Sequence, residues 1–446
     1  MRSVSGLRGI VGVDLVPEVV ERYAGAFGAL VRDRGGREVA LARDSRQSGP
    51  ALAEAVSRGL RSAGVDVVDL GMVPTPTAQI AVERLGMAAG IVVTASHNPI
   101  EWNALKFIGS GGRFLNREEA AALYALVDGG KGAASVRVPP GEVRADATAV
   151  QRHLDLILGL PWLDVEAIRR RRFRVALDCV RGAGATIMPA LLERLGCRVS
   201  AIHLEPDGLF PREPEPVPEN LGELSAHVHE THAELGIAVD PDVDRLAVVD
   251  ETGRPIGEDY TLAFAVRATL ARRRGPVVTN LSTSLVVDDA ARPFGVEVRR
   301  APVGEANVVE MMRETGAVIG GEGNGGVILP EVHLGRDAPV AAALVLALLA
   351  ERGRVSEVVN SAPRYAIVKA KIDRPAGAIG DPYARLGTLL AGASEDRRDG
   401  LRLALEDRWV HVRPSGTEPV VRLIAEAPTE AEARELVARA RALLTD

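Results

Sequence analysis

Ile91-Val92-Val93-Thr94-Ala95-Ser96-His97-Asn98-Pro99 is the stretch that decides the fold. Ile91–Thr94 reads as a short apolar strand. The chain turns sharply after it, and Pro99 blocks its continuation. Side chains at the carboxyl end of a parallel strand face the crevice where α/β sheets bind ligands. Ser96 is therefore a candidate nucleophile or phosphate carrier. His97 and Asn98 are its polar neighbours, and Lys106 follows ten residues on.

Upstream, Glu38–Ala42 reads as a strand, Ala51–Ala63 as an amphipathic helix and Val65–Leu70 as a second strand. A turn at Gly71–Pro76 leads into a helix ending near Leu85. The scheme recurs as strand Arg174–Asp178, turn Gly182–Gly184, helix Ala185–Leu195 and strand Arg198–His203. It recurs again as strand Val277–Asn280, helix Leu285–Ala291, strand Val296–Arg300, helix Ala306–Glu314 and strand Ala317–Gly320. Similar order without similar residues suggests a triplicated α/β block. The last block differs: strands at Ala366–Ile372, Leu401–Leu405, Trp409–Val412 and Val421–Ala425 precede a helix over Thr429–Leu444. Thr429 and Glu432 form a capping-box pattern at its start. The expected fold class is α/β: three similar α/β domains with mixed, mainly parallel sheets, and a C-terminal α+β domain, arranged around a central cleft. Boundaries fall at residues 1–145, 146–250, 251–360 and 361–446. Pro211–Pro218 reads as an extended stiff loop.

Composition narrows the function. A chain of 446 residues with 46% hydrophobic residues can build several cores, and no apolar run is long enough for a membrane span. The N-terminal stretch lacks the apolar run of a secretory signal. Two cysteines exclude a disulfide framework and suit a reducing, cytoplasmic setting. A net charge of -6 and 3% aromatic residues disfavour nucleic acid as a partner. An anionic small molecule remains compatible, because a pocket's charge need not follow the net charge.

Three further loops carry chemistry, each next to an expected strand. In Asp240-Pro241-Asp242-Val243-Asp244-Arg245, carboxylates at alternate positions can point one way from an extended segment. A hard divalent cation resolves their repulsion, and Mg²⁺ tolerates so few protein ligands by taking others from water or phosphate. Arg245 adds a phosphate donor. In Gly320-Gly321-Glu322-Gly323-Asn324-Gly325-Gly326, glycines admit close backbone approach, and Glu322 and Asn324 suit sugar hydroxyls. Val327-Ile328-Leu329-Pro330 follows instead of a helix, which disfavours a dinucleotide site. In Arg413-Pro414-Ser415-Gly416-Thr417-Glu418-Pro419, with Arg422 beyond, two arginines, two hydroxyls and an exposed amide make a phosphate cradle. Each loop taken alone is compatible with an ordinary turn. Their distribution, one per block, is not what independent turns would give.

Together these segments resemble the α-D-phosphohexomutase superfamily, in family order and over essentially the whole chain. TASHNP (Thr94–Pro99) resembles its phosphoserine loop and DPDVDR (Asp240–Arg245) its magnesium loop. GEGNGG (Gly321–Gly326) occupies the sugar-binding loop and RPSGTEP (Arg413–Pro419) the phosphate-binding loop. Ser5–Gly9 and Arg43–Arg46 resemble segments near the active site. Three positions depart from the common pattern: Ala104 replaces a glycine, Asn324 a serine and Gly326 a histidine. The last change removes a proton-transfer candidate. The glycine-rich sugar loop is closest to mutases acting on glucosamine phosphates.

The resemblance implies an enzyme that moves a phosphoryl group between C1 and C6 of a hexose phosphate through phospho-Ser96 and a 1,6-bisphosphate, which also serves as activator. Mg²⁺ would be held by Asp240, Asp242, Asp244 and an oxygen on Ser96. Arg8 would contact the phosphoserine, and Lys106 or His97 would be the general base, Lys106 after depression of its pKa by cations such as Arg8. Substrate would be bound by Arg245, Gly304, Glu322, Asn324, Arg413, Ser415, Gly416, Thr417 and Arg422. The expected partner is a small-molecule sugar phosphate, not nucleic acid or membrane, and the expected state is monomer or homodimer. A serine-dependent sugar phosphatase and an idle sugar-phosphate binder are the rivals; retention of Ser96, the three aspartates and Lys106 argues against the second.

Overall fold

Strand β5 (Ala89–Val93) is buried along its whole length at the centre of a seven-stranded sheet, as a continuous apolar run requires. The computed structural model describes residues 1–3, 6–129, 138–373, 385–415 and 420–445. The first sheet runs in the order β1 (Arg2–Ser3), β2 (Gly6–Ile10), β6 (Trp102–Ile108), β5, β3 (Glu38–Arg43), β4 (Asp66–Met72), β7 (Val143–Ala145). Its β3, β4, β5 and β7 pair in parallel, while β6, β2 and β1 add on antiparallel.

Two four-stranded sheets repeat the inner part of this arrangement. The second has the order β11 (Leu246–Val249), β10 (Leu235–Val239), β8 (Arg174–Asp178), β9 (Arg198–Ile202). The third, read in the same sense, is β15 (Gly326–Ile328), β14 (Ile319–Glu322), β12 (Val277–Asn280), β13 (Val298–Ala301). In all three a parallel strand passes through a loop into an antiparallel neighbour: β5 to β6, β10 to β11, β14 to β15. The serine, aspartate and glycine-rich loops are those three connections. The similar element order read from the sequence is thus a shared topology.

The fourth sheet is antiparallel throughout, in the order β16 (Ala366–Asp373), β20 (Val420–Ala427), β19 (Trp409–Pro414), β18 (Leu401–Ala404), β17 (Ser394–Asp396). The final helix begins at Glu430, and its capping box forms: Glu432 Oε2 accepts from Thr429 N at 3.1 Å and Thr429 Oγ1 from Glu432 N at 3.3 Å. The helix expected over Ala185–Leu195 is broken into a 3₁₀ turn, Ala183–Thr186, and a helix, Met188–Arg194. Pro189 is the cause, since it has no N–H and its ring clashes with the carbonyl four residues back. The proline-rich segment 211–217 has no regular structure.

One apolar cluster runs continuously through the second and third units, whereas the fourth has a separate one built from its sheet and final helix. Helix Ala338–Arg352, apolar nearly all round, joins the second and third. Asp337 fixes its start. Its Oδ1 accepts from Val340 N at 2.9 Å, and its Oδ2 lies 2.8 Å from His153 Nε2 and 2.9 Å from His333 Nε2. Thr77 of the first unit closes the network on His153 Nδ1 at 2.9 Å. Burial opposes ionisation of Asp337, but the two histidines outweigh it and hold its pKa well below the usual carboxylate range. Asp337→Ala should cost about 3 kcal/mol, the scale of a broken buried pair, measured by urea unfolding at pH 7. The stability Asp337 provides is present above its unfolded pKa of about 3.9 and is lost as pH falls below it. A cost under about 0.5 kcal/mol would show that the network is not a stabilising joint. Among the described residues no helix is long and apolar enough to cross a membrane.

Candidate active site

Ser96 sits at φ 50°, the left-handed region that a non-glycine residue adopts only when its surroundings enforce it. Two things enforce it here. Thr94 Oγ1 accepts the Ser96 N–H at 2.9 Å while donating to Asp44 Oδ2 at 2.7 Å. Arg46, fully buried, donates to the carbonyls of Ser96 (2.8 Å), Asn98 (2.6 Å), Pro99 (2.7 Å) and Trp102 (2.9 Å). This is what Arg43–Arg46 contributes: a guanidinium clamp that fixes the loop's backbone. Arg8, on β2, donates to Asn98 Oδ1 at 2.7 Å.

The clamped serine meets the aspartates. Ser96 Oγ donates to Asp240 Oδ2 at 2.7 Å, and His97 Nδ1 lies 3.3 Å from the same Oγ. The three carboxylates converge through a turn, not from an extended segment as the alternation suggested. Asp240 Oδ1 accepts from Asp244 N and Arg245 N, both at 3.1 Å, so the chain wraps around that carboxylate, with Val243 at φ 67°. Asp240, Asp242 and Asp244 are buried, with ligand atoms within 4.8 Å of one another. Asp242 Oδ1 and Asp244 Oδ1 are buried and accept no hydrogen bond. Unpartnered buried carboxylate oxygens in a cluster of three carboxylates fit a hard divalent cation, and the triad could hold one. Asp240 shows the strain of the cluster: burial, then Asp244 and Asp242, push its pKa well above the usual value.

Lys106 lies on β6 with its Nζ 2.7 Å from Asp242 Oδ2 and 3.6 Å from Asp244 Oδ2. The expected depression of its pKa is not found. Burial does push it down, but Asp242 and Asp244 push harder, and it ends above the ordinary lysine value. His97 moves the other way: burial, then Arg245 and Arg8, hold it well below the usual histidine value, so it is neutral near pH 7.

In the glycine-rich loop, Glu322 Oε1 accepts from Asn280 Nδ2 at 2.8 Å and from Gly304 N at 3.0 Å. Gly304 therefore gives its amide to Glu322. Asn324 Oδ1 accepts from Gly326 N at 3.2 Å, within its own loop. Gly325, at φ 86°, packs so closely on β11 that a Cβ would lie 2.5 Å from Leu246 O. In the fourth loop, Arg413 is ion-paired with Asp399 at 2.8 Å, and Ser415 N donates to Val420 O at 2.8 Å. Arg413 and Arg422 are directly opposite on β19 and β20. Both arginines line the same cleft. Ser5, Gly416 and Thr417 lie outside the described residues.

A cleft of ≈ 860 Å³ is lined by residues of all four units. Arg8 and His97 come from the first unit, Arg245 from the second, Glu322 and Asn324 from the third, Arg413 and Arg422 from the fourth. Ser96, the triad and Lys106 are buried, and their chain neighbours His97 and Arg245 line the cleft. Several residues here were not singled out from the sequence. Arg336 binds Asp244 Oδ2 at 2.7 Å and Glu305 Oε2 at 2.8 Å, and lies 3.4 Å from Glu322 Oε2. Glu215, from the proline-rich segment, holds Arg245 at 2.8 Å. Thr75 Oγ1 donates to Asp242 Oδ2 at 2.6 Å. Only contacts made across the fold mark these residues.

The chain matches the phosphoglucomutase/phosphomannomutase family in four consecutive segments: alpha/beta/alpha domain I at residues 2–133, domain II at 151–253, domain III at 257–365 and the C-terminal domain at 368–443. It belongs to that family and is a phosphohexomutase. Among curated relatives, it is similar to a probable phosphoglucosamine mutase of Methanopyrus kandleri, 41% identical over 97% of this chain and 95% of the relative. It is also similar to a phosphoglucomutase/phosphomannomutase of Thermococcus kodakarensis, 38% identical over 96% of this chain and 95% of the relative. A solved family member from Burkholderia thailandensis superimposes with a TM-score of 0.85 at 30% identity, covering 100% of this chain and 98% of that one.

Proposed function

We propose that this protein interconverts hexose 6-phosphate and hexose 1-phosphate through a phosphoserine at Ser96 and a 1,6-bisphosphate intermediate, with glucosamine phosphate as the preferred substrate. The observation that carries the reading is the 2.7 Å contact between Ser96 Oγ and Asp240, next in the chain to His97 and close to Arg245, which line a cleft shared with the glycine-rich loop and the Arg413 strand. The substrate hydroxyl attacks the phosphorus of phospho-Ser96, the P–Oγ bond breaks, and the hydroxyl proton passes to His97, the neutral one of the two candidate bases, while Lys106 stays a cation held by Asp242 and Asp244. The bisphosphate turns over in the cleft, and its other phosphoryl group returns to Ser96 Oγ. Arg8 steadies the serine loop through Asn98. Arg413 and Arg422 hold whichever phosphate is not reacting, and Glu322 and Asn324 meet the sugar hydroxyls. Asp240, Asp242 and Asp244 would hold Mg²⁺, which when bound neutralises charge on the transferring group.

The choice of glucosamine rests on the glycine-rich sugar loop and on the name of the Methanopyrus relative. The Thermococcus relative's name favours a second reading, activity on mannose or glucose phosphates in the same site. The test is a coupled assay with catalytic hexose 1,6-bisphosphate, comparing kcat/KM for glucosamine, mannose and glucose 1-phosphates. Glucosamine 1-phosphate is expected to lead by at least about tenfold, the scale of one good recognition contact. Equal values would remove the substrate assignment. Release of inorganic phosphate in place of isomer would make the protein a sugar phosphatase.

A further inference from the structure

We propose that Asp399 is a positioning residue that clasps the phosphate loop to the sugar and metal loops through the tripeptide Val303-Gly304-Glu305. The clasp deepens the mutase reading and rests on it. One carboxylate oxygen, Asp399 Oδ2, has two partners from different units. It lies 2.8 Å from Arg413 Nε in the fourth and accepts from Val303 N of the third at 3.1 Å. The next amide, Gly304 N, donates to Glu322 Oε1 at 3.0 Å. The next side chain, Glu305, accepts from Arg336 Nε at 2.8 Å, and Arg336 Nη2 reaches Asp244 at 2.7 Å. Three consecutive residues therefore hold the phosphate-reading arginine, the sugar-reading glutamate and the aspartate cluster at once.

The rest of this boundary makes the clasp consequential. The fourth unit's apolar cluster is separate from that of the second and third, and its seam with the third is rich in polar contacts. Arg398 Nη2 donates to Arg300 O at 2.7 Å, His411 Nδ1 lies 2.8 Å from Ser282 Oγ, and Glu426 accepts from Leu285 N at 2.9 Å. Ser282 and Glu426 of these contacts line the cleft too. Two carboxylates at this seam hold cleft-lining cations, Glu258 on Lys369 at 3.5 Å and Asp399 on Arg413 at 2.8 Å, and Asp399 is the one that also takes a backbone N–H across the seam. The contact to Arg413 is an ion pair without hydrogen-bond alignment at Nε, so Asp399 anchors the guanidinium beside the cleft by its charge. Substrate phosphate seated on Arg413 is thereby tied to the backbone that orients Glu322.

The experiment is a double-mutant cycle with two readouts. The variants are Asp399→Ala, Arg413→Ala and both together, with Asp399→Asn as the conservative change that keeps an acceptor for Val303 N. Turnover and the share of 1,6-bisphosphate released per turnover are measured. Binding of glucosamine 1-phosphate is measured by calorimetry in a Ser96→Ala background, where nothing turns over. Asp399→Ala should weaken binding and kcat/KM by about tenfold and raise bisphosphate release. In Arg413→Ala protein it should add less than about twofold, because its effect passes through that arginine. Asp399→Asn should fall between. Full additivity in the cycle, or loss of thermal stability with unchanged binding and release, would overturn the clasp. If wild-type protein turns over normally and the cycle is additive, only the clasp falls. If wild-type protein has no mutase activity while binding still couples Asp399 to Arg413, the mutase reading falls and the clasp stands.

Discussion

Ser96→Ala is expected to lower mutase kcat by roughly 10⁴-fold or more, the scale of deleting a nucleophile, and to remove the single phosphate from the intact mass of the purified protein. The size of the effect follows from how little else in the site can substitute. Among the described residues, Thr94 and Thr75 carry hydroxyls on carboxylates around the serine loop. Thr94 Oγ1 donates to Asp44 Oδ2 at 2.7 Å, and Thr75 Oγ1 to Asp242 Oδ2 at 2.6 Å. Both are fully buried and committed to carboxylates that need them. Only Ser96 is lifted by a left-handed backbone, clamped by Arg46 and aimed at Asp240. Water cannot take over its role, because a bound nucleophile supplies orientation that a free one lacks. Peptide mapping of wild-type protein should place the phosphate on the fragment containing Ser96. A phosphate mapped to Thr75, or near-normal turnover in Ser96→Ala, would sink the phosphoserine mechanism.

The parts of this molecule that sequence exposes are those whose chemistry is local. Ser96 and the three aspartates stand in short loops directly after buried strands, and strand-to-loop transitions are visible as apolar runs ending at polar or proline residues. The topology repeat was legible as element order alone, since residues such as Ala89–Val93 and Leu235–Val239 share burial but not identity. Pro189 broke a helix that apolar spacing had read as continuous over Ala185–Leu195. What stayed hidden depends on long-range contacts. Arg336 precedes a helix cap like many surface arginines, yet it ties Asp244 of the second unit to Glu305 of the third. Asp399 sits in a polar run, Arg397-Arg398-Asp399-Gly400, that suggests only a solvated turn. The titration of Lys106 turns on which carboxylates the fold brings to β6, and sequence spacing says nothing of that. The Asp240–Arg245 turn was missed because alternation in sequence looks the same in a strand and in a turn wrapped around one carboxylate.

Asp240→Asn is expected to make the metal-free protein more stable and the enzyme nearly inactive. Asp240 is fully buried beside two other carboxylates, and its pKa is raised by burial and by Asp244 and Asp242. A carboxyl with a raised folded-state pKa favours the folded protein at acid pH, and that advantage is lost as pH rises through the folded value. At pH 7 in chelator, its ionised form is therefore a cost. Asparagine removes the charge and keeps the shape. Its oxygen can accept from Asp244 N and Arg245 N as Oδ1 does now, and its NH₂ can donate to Ser96 Oγ, where Asp240 Oδ2 accepts today. The variant should gain about 1–2 kcal/mol of unfolding free energy in chelator, measured by urea titration. The same charge is what a divalent cation would use. Mg²⁺ should raise the melting temperature of wild-type protein, as a ligand of the folded state must, and should raise that of Asp240→Asn far less. Activity with Mg²⁺ should fall by about 10³-fold, the scale of losing transition-state charge stabilisation. Stability and function oppose each other at this position because the repulsion that weakens the metal-free fold is the attraction that would bind the cation. A variant less stable than wild type in chelator would show that the triad is not strained. A variant with an unchanged response to Mg²⁺ would show that Asp240 is not a ligand.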